Sequence, residues 1–415
     1  MKGEVAPEME PAPDLEPAPE TQPAPGAGPL SGTTVIEMSG IGPGPFAGMM
    51  LADLGATVTR VDRLSVGGGE GPRAMASGRA DVVSRGRRSI AVDLKMAGGV
   101  ELVLRLIDSA DTLIEGYRPG VMERLGLGPD VCLGRNPRLV YGRMTGWGQE
   151  GPLAKAAGHD INYIALSGVL GAIGRHGEAP VPPLNLVGDY GGGGMLLAYG
   201  VVAALLSAAR TGAGQVVDAA MVDGAAVLMT QFFGMKAHGR WSEDRGSNLL
   251  DTGAPFYDVY ATADGGFMSV GPLEPAFFAI LLQRLGIDDI DVSTQYDPRS
   301  WPVLRHRLAR EFASRTRAVS EALFAGVDGC VMPVLSMSEA PQHPHNVARG
   351  TFVTRDGVVQ PAPAPRFSAT PARLELPPPT VGEHTEAVLA ELGLTDQEVL
   401  GLREAGVVAS AEHLG

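Results

Sequence analysis

Cysteine is nearly absent from this 415-residue chain. Cys132 and Cys330 stand far apart, without CxxC or CxxH spacing, so neither a disulfide framework nor a zinc site is expected. A reducing cytoplasm is the compartment this implies. Basic charge is also short, with 33 Lys and Arg against 47 Asp and Glu and a formal charge of −14. A surface built for phosphate backbones carries the opposite excess, so no nucleic acid partner is expected. Small anions held at local arginines are still allowed. There is no basic stretch followed by an apolar one at the N-terminus, as a secretory leader would have. The most apolar run, 195–209, meets Arg210 before reaching the roughly 20 residues that span a bilayer. It is expected to be a buried helix, with no membrane as partner.

A hydrophobic share of 44% is enough for most of the chain to fold, and its length implies two domains rather than one. Residues 1–30 are the exception: Pro and Ala alternate with acids such as Glu8, Glu10 and Glu16. Such a segment buries too little apolar surface to offset chain entropy, so a disordered tail is expected.

From residue 33 the pattern is strand, turn, helix, strand. A β-type run at 33–38 leads into Gly40-Ile41-Gly42-Pro43-Gly44, then a helix ending near Gly55 and a second strand at 57–61. Gly42, Gly44 and Ala47, with Asp62 further on, match a dinucleotide fingerprint. Pro43 and Pro45 argue against it, because each removes an N–H that a phosphate cradle would use. Arg63 is an alternative phosphate partner, and a tight turn with no ligand is the plain reading. Arg85, Arg87 and Arg88 then form a basic cluster, to be read as a solvated surface or as a site for a phosphorylated ligand. Further strands at 89–93, 112–114 and 138–144 alternate with helices. That alternation implies a parallel sheet covered on both faces. The expected fold class is α/β. A Rossmann-like large domain with a parallel sheet spans 31–224, a smaller α+β domain 225–335, and a return segment, 336–415, completes the large domain. Asp264-Gly265-Gly266 is a hairpin signal in the smaller domain, and Thr395 with Glu398 has capping-box spacing.

Chemistry is suggested where His159 and Asp189 each lie beside glycine in stretches poor in other charge. Imidazole titrates near neutral pH, and a carboxylate can serve the opposite face of one substrate carbon. Peptide N–H groups starting a helix after Gly191 would support developing negative charge. The competing readings are structural: His159 as a packing or capping residue, Asp189 as a helix N-cap, and Glu274 as a plain acid at a helix start. Spacing alone leaves both sets open.

Read jointly, several segments resemble the α-methylacyl-CoA racemase branch of the family III CoA-transferase superfamily. They are 36–63, Gly116-Tyr117-Arg118-Pro119-Gly120, Met144-Thr145-Gly146-Trp147-Gly148-Gln149, Gly158-His159-Asp160-Ile161-Asn162-Tyr163 and Leu186-Val187-Gly188-Asp189. The resemblance runs from about residue 30 to about 375. It implies that His159 and Asp189 are the two catalytic bases, with Glu274 near the imidazole. It also implies CoA contacts at Ile41, Arg63, Val92, Asp93, Leu94, Lys95, Gly116, Tyr117, Arg118, Arg124, Gly158, Asp160, Ile161, Asn162 and Tyr163. The fold it implies is an interlocked homodimer, each subunit threaded through the other. The implied substrate is a 2-methylacyl-CoA thioester, with CoA entering as part of the substrate and no metal or redox cofactor. Met144, Met221, Met229 and Met235 are candidates for an adaptable acyl-binding surface or for ordinary core. The alternatives within reach are CoA transfer with Asp189 as nucleophile and non-catalytic acyl-CoA binding.

Overall fold

The computed structural model describes residues 28–64 and 78–413. Residues 1–27 of the expected tail lie outside them, but its last three, 28–30, belong to the fold: Gly28 is buried and the Leu30 N–H donates to the Leu54 carbonyl at 2.9 Å. Six strands follow one another in parallel: β1 (Thr34–Met38), β2 (Thr57–Arg63), β3 (Arg87–Val92), β4 (Thr112–Glu115), β5 (Val140–Thr145) and β6 (Gln215–Ala220). β4 and β5 are buried at every position, as strands covered on both faces must be. One face packs on Leu102, Ile107, Met122 and Tyr141, and the other on Leu51, Leu197 and Val201.

A separate antiparallel sheet joins β7 (Asp258–Ala261), β8 (Phe267–Val270) and β9 (Val331–Pro333), with the expected Asp264-Gly265-Gly266 turn between β7 and β8. It has its own core around Phe256, Phe278 and Phe312. A hairpin of β10 (Phe352–Arg355) and β11 (Val358–Pro361) follows, and then the capped helix Asp396–Glu404, with Thr395 and Glu398 in reciprocal hydrogen bonds. The last strand, β12 (Val408–Ala409), adds antiparallel to β3, giving the large sheet the order β12-β3-β2-β1-β4-β5-β6. The architecture is therefore a Rossmann-like parallel sheet plus a smaller α+β unit.

Two expectations change here. The arginine cluster is neither a solvated patch nor unpaired: Arg85 and Arg87 are buried against Asp53 and Glu37, at 2.6 and 2.8 Å, and the half-buried Arg88 pairs with the exposed Glu391 at 2.7 Å. Each guanidinium has a carboxylate supplied by a distant part of the chain, and pairing of this kind is what lets a charge be buried. The apolar run after the glycines is longer than its sequence limits suggest. A π-helical segment, Leu186–Met195, continues directly into the α-helix Leu196–Thr211. Together they make the one helix among the described residues that is long and apolar enough, by length and composition, to cross a membrane. Its Leu197, Val201 and Ala204 nevertheless pack on the sheet, as in a core helix.

Candidate active site

The chain order of the sheet reverses between β1 and β4, the switch point at whose carboxyl edge open α/β sheets place their ligands. The exits of β1, β4 and β5 bring 39–42, 116–120 and 146–148 to that edge. Small residues let the next layer approach. A Cβ on Gly146 would lie 2.1 Å from the Tyr163 ring and one on Gly158 2.8 Å from it, so both positions need glycine. Tyr163 is edge-on to Trp147 with centroids 4.8 Å apart, and its hydroxyl donates to the Gly158 carbonyl.

His159 follows as the N-cap of the short helix Asp160–Leu166, in extended backbone and with an exposed side chain. Its N–H donates to Asn162 Oδ1 at 3.0 Å, one half of a capping box at this helix start. Asp160 turns inward and accepts the N–H of Asp189 at 2.7 Å. Asp189 is thereby tied to the residue adjoining His159, and Asn185 donates to its Oδ2 at 3.0 Å. Burial raises the Asp189 carboxyl above its ordinary value, and the Asp160 charge adds to this; the Asn185 bond and the nearby His159 oppose it. Imidazole and carboxylate are thus within electrostatic reach of each other.

The structure corrects the reading of the glycine run. Asp189 does not precede the helix as an N-cap but lies inside its π-helical turn, where the Tyr190 N–H bonds the carbonyl of Asn185, five residues back. The peptide groups after Gly191 are consequently spent within the helix and are not free to stabilise an anion. Glycine serves close approach instead. A Cβ on Gly192 would sit 2.6 Å from the Ala225 backbone, and one on Gly194 2.7 Å from the Pro43 carbonyl. The dinucleotide reading of 40–47 fails for a related reason. Gly42 has φ +69° and presses against Asp189, a Cβ there falling 3.1 Å from Oδ2. Asp62, expected near a ribose, is buried with Arg60 at 2.8 Å and accepts from Ser89 at 2.5 Å.

A family model described as CoA-transferase family III matches residues 30–385. The chain belongs to that family. It is 47% identical over 384 residues to the alpha-methylacyl-CoA racemase of Mus musculus and 44% identical over 385 residues to that of Homo sapiens, covering 92% of this chain and 98% of the relative in each case. Among solved structures, a CAIB/BAIF family protein from Brucella suis superposes with a TM-score of 0.75 at 27% identity, over 88% of this chain and 100% of that one.

Arg63, at the end of β2, lies over the Tyr117 ring at 5.6 Å, and the charge of Arg118 reaches Tyr163. Arg124 and Ile41 are exposed, as are Gly116, Lys95, Ile161 and Asn162. Val92 is buried in the core, which leaves its backbone to meet a ligand, and the half-buried Leu94 packs against that core. Asp93 accepts the Lys95 N–H at 2.9 Å. Glu274 begins the helix Pro275–Leu285 in the smaller unit, with Tyr296 and Cys330 as electrostatic neighbours. No hydrogen bond or ion pair joins it to His159 among the described residues. Met144 and Met221 belong to the core, and Met229 packs on a small apolar cluster around Ile164. Sequence reasoning missed Asn185, although its place four residues before Asp189 on a helical face was a usable signal, and it missed Glu115 and Arg143 altogether.

Proposed function

We propose that this chain is a 2-methylacyl-CoA racemase, interconverting 2R and 2S epimers by proton transfer at C2. The observation that carries this reading is an imidazole and a partly desolvated carboxylate, His159 and Asp189, within electrostatic reach at the switch point. The high identity to two alpha-methylacyl-CoA racemases supports the substrate class. One base removes the C2 proton, and the C–H electron pair moves into the thioester as an enolate. The other group then returns a proton to the opposite face, and the roles reverse in the other direction. Burial favours this exchange, because a carboxyl raised above its ordinary value holds a proton more readily while the imidazole acts as base.

CoA is assigned to Arg63, Tyr117, Arg118 and Arg124, with Ile41, residues 92–95 and 158–163 alongside. A second copy of the chain completes the assembly as an interlocked homodimer. Support comes from the outer face of the helix Leu196–Thr211, where Tyr199 is 73% exposed and Val202 and Leu206 are open, next to an exposed Met195. Glu274 is assigned to orient an imidazole across that assembly. Cys132 and Cys330 are free thiols, the state that a cytoplasmic setting maintains.

The test is incubation with (2S)-2-methylacyl-CoA in deuterated water, with and without a free carboxylate acceptor. Deuterium at C2 with loss of chirality is the expected result, and His159→Ala should lose exchange from at least one epimer. CoA passing to the acceptor without exchange would replace the racemase with a transferase, and neither reaction would leave a binding protein.

A further inference from the structure

Glu115 ends β4 and immediately precedes the loop 116–120, yet it is a charged residue only 2% exposed. Its Oε2 accepts the Tyr117 N–H at 2.7 Å, bracing the loop from within. Its Oε1 accepts from Arg143 Nε at 3.0 Å, Arg143 being its register partner on β5. The same guanidinium reaches on to Glu123, at 2.8 and 3.4 Å, in the helical turn Val121–Arg124 that carries Arg124. One arginine therefore joins the residue before the loop to a residue just after it. Arg143 also lies over the Tyr141 ring at 5.9 Å, and Tyr141 is anchored by its hydroxyl to the Leu127 carbonyl at 2.9 Å.

A buried ion pair of this kind contributes little net stability compared with apolar packing, and its best-supported use is to impose one geometry. Burial pushes the Glu115 carboxyl up to about 7, and the Tyr117 N–H and Arg143 hold it against that desolvation. Such a strained placement is wasteful in a plain strand end. It makes sense beside a loop whose backbone path sets the position of Tyr117 and Arg118.

We propose that the Glu115–Arg143–Glu123 bridge positions the loop 116–120 and Arg124 for CoA, so that these three residues set affinity for the thioester without touching the reacting carbon. This rests on the reading that the loop holds CoA. They are positioning residues, and their loss should appear in binding rather than in chemistry.

The experiment compares Glu115→Gln and Glu123→Gln with the unaltered protein, measuring the Kd of free CoA by calorimetry and kcat and KM by C2 exchange. Thermal unfolding checks the fold, and Glu123, whose side chain is 44% exposed, provides the variant expected to fold if Glu115→Gln does not. Kd and KM should rise together by about tenfold, the effect of losing one charge-assisted hydrogen bond, with kcat within about twofold. A folded variant with unchanged Kd, or one that loses kcat at constant KM, overturns the proposal. Arg118→Ala serves as the separate check: unchanged CoA affinity there would sink the CoA assignment of the loop, not the bridge.

Discussion

Gly42→Ala is the substitution that most directly probes how the carboxylate is held. Gly42 has φ +69° and ψ −117°, a conformation that costs a side chain about 1–3 kcal/mol. The added methyl would also lie 3.1 Å from Asp189 Oδ2 and 3.5 Å from its Cγ, so the carboxylate has to retreat. That oxygen is the one accepting from Asn185 at 3.0 Å, and stacking of Tyr190 on Phe46, at 4.6 Å, limits movement of the neighbouring backbone. Misplacing a reacting group by a distance approaching 1 Å costs on the order of 100-fold in rate, about 2.7 kcal/mol of barrier. C2 deuterium exchange from each epimer should therefore fall by about two orders of magnitude, alongside the loss of stability in thermal unfolding. Gly44→Ala is the control, since its Cβ meets nothing within 4 Å, and Ala in a helix favours stability by up to about 1 kcal/mol over Gly. A folded Gly42→Ala protein that exchanges at the unaltered rate from both epimers would refute the claim that this contact sets the carboxylate.

Two other outcomes follow from the same geometry. Because Asp189 titrates above its ordinary 3.8, the direction that uses it as base should lose rate as pH falls through that raised value. Asp160→Asn keeps an acceptor for the Asp189 N–H but removes a neighbouring negative charge, so the acid limb should move to lower pH; an unmoved limb contradicts the electrostatic account. For the assembly, Tyr199→Glu places a charge on the open apolar face and, since threaded subunits separate only by unfolding, should lower the thermal midpoint of the dimer, whereas a dimer of undiminished stability would remove that face from the interface.

Much of the framework was legible from local pattern. β1, β2, the β7–β8 hairpin and the Thr395 cap came from alternation, turn chemistry and cap spacing, all properties of a few adjacent residues. His159 and Asp189 were visible as candidates, but their spacing could not separate a catalytic role from a capping one. A catalytic role for both is what the joint resemblance of several motifs implies. Other features depended on parts of the chain far apart in sequence. Arg85, Arg87 and Arg88 look like a surface cluster until Asp53, Glu37 and Glu391 arrive to pair with them. Gly42 looks like half of a phosphate loop until a helix beginning at Leu186 brings Asp189 against it.

The sequence by itself determined the alternating elements, the catalytic candidates and the family, because periodicity, turn residues and motif order are written along the chain. Only the tertiary structure decided which charges are buried in pairs, why the glycines after Asp189 are needed, and that Glu115 and Arg143 brace the loop of the proposed CoA site. Those are matters of close approach and desolvation, and both depend on which distant residue comes to fill the neighbouring space.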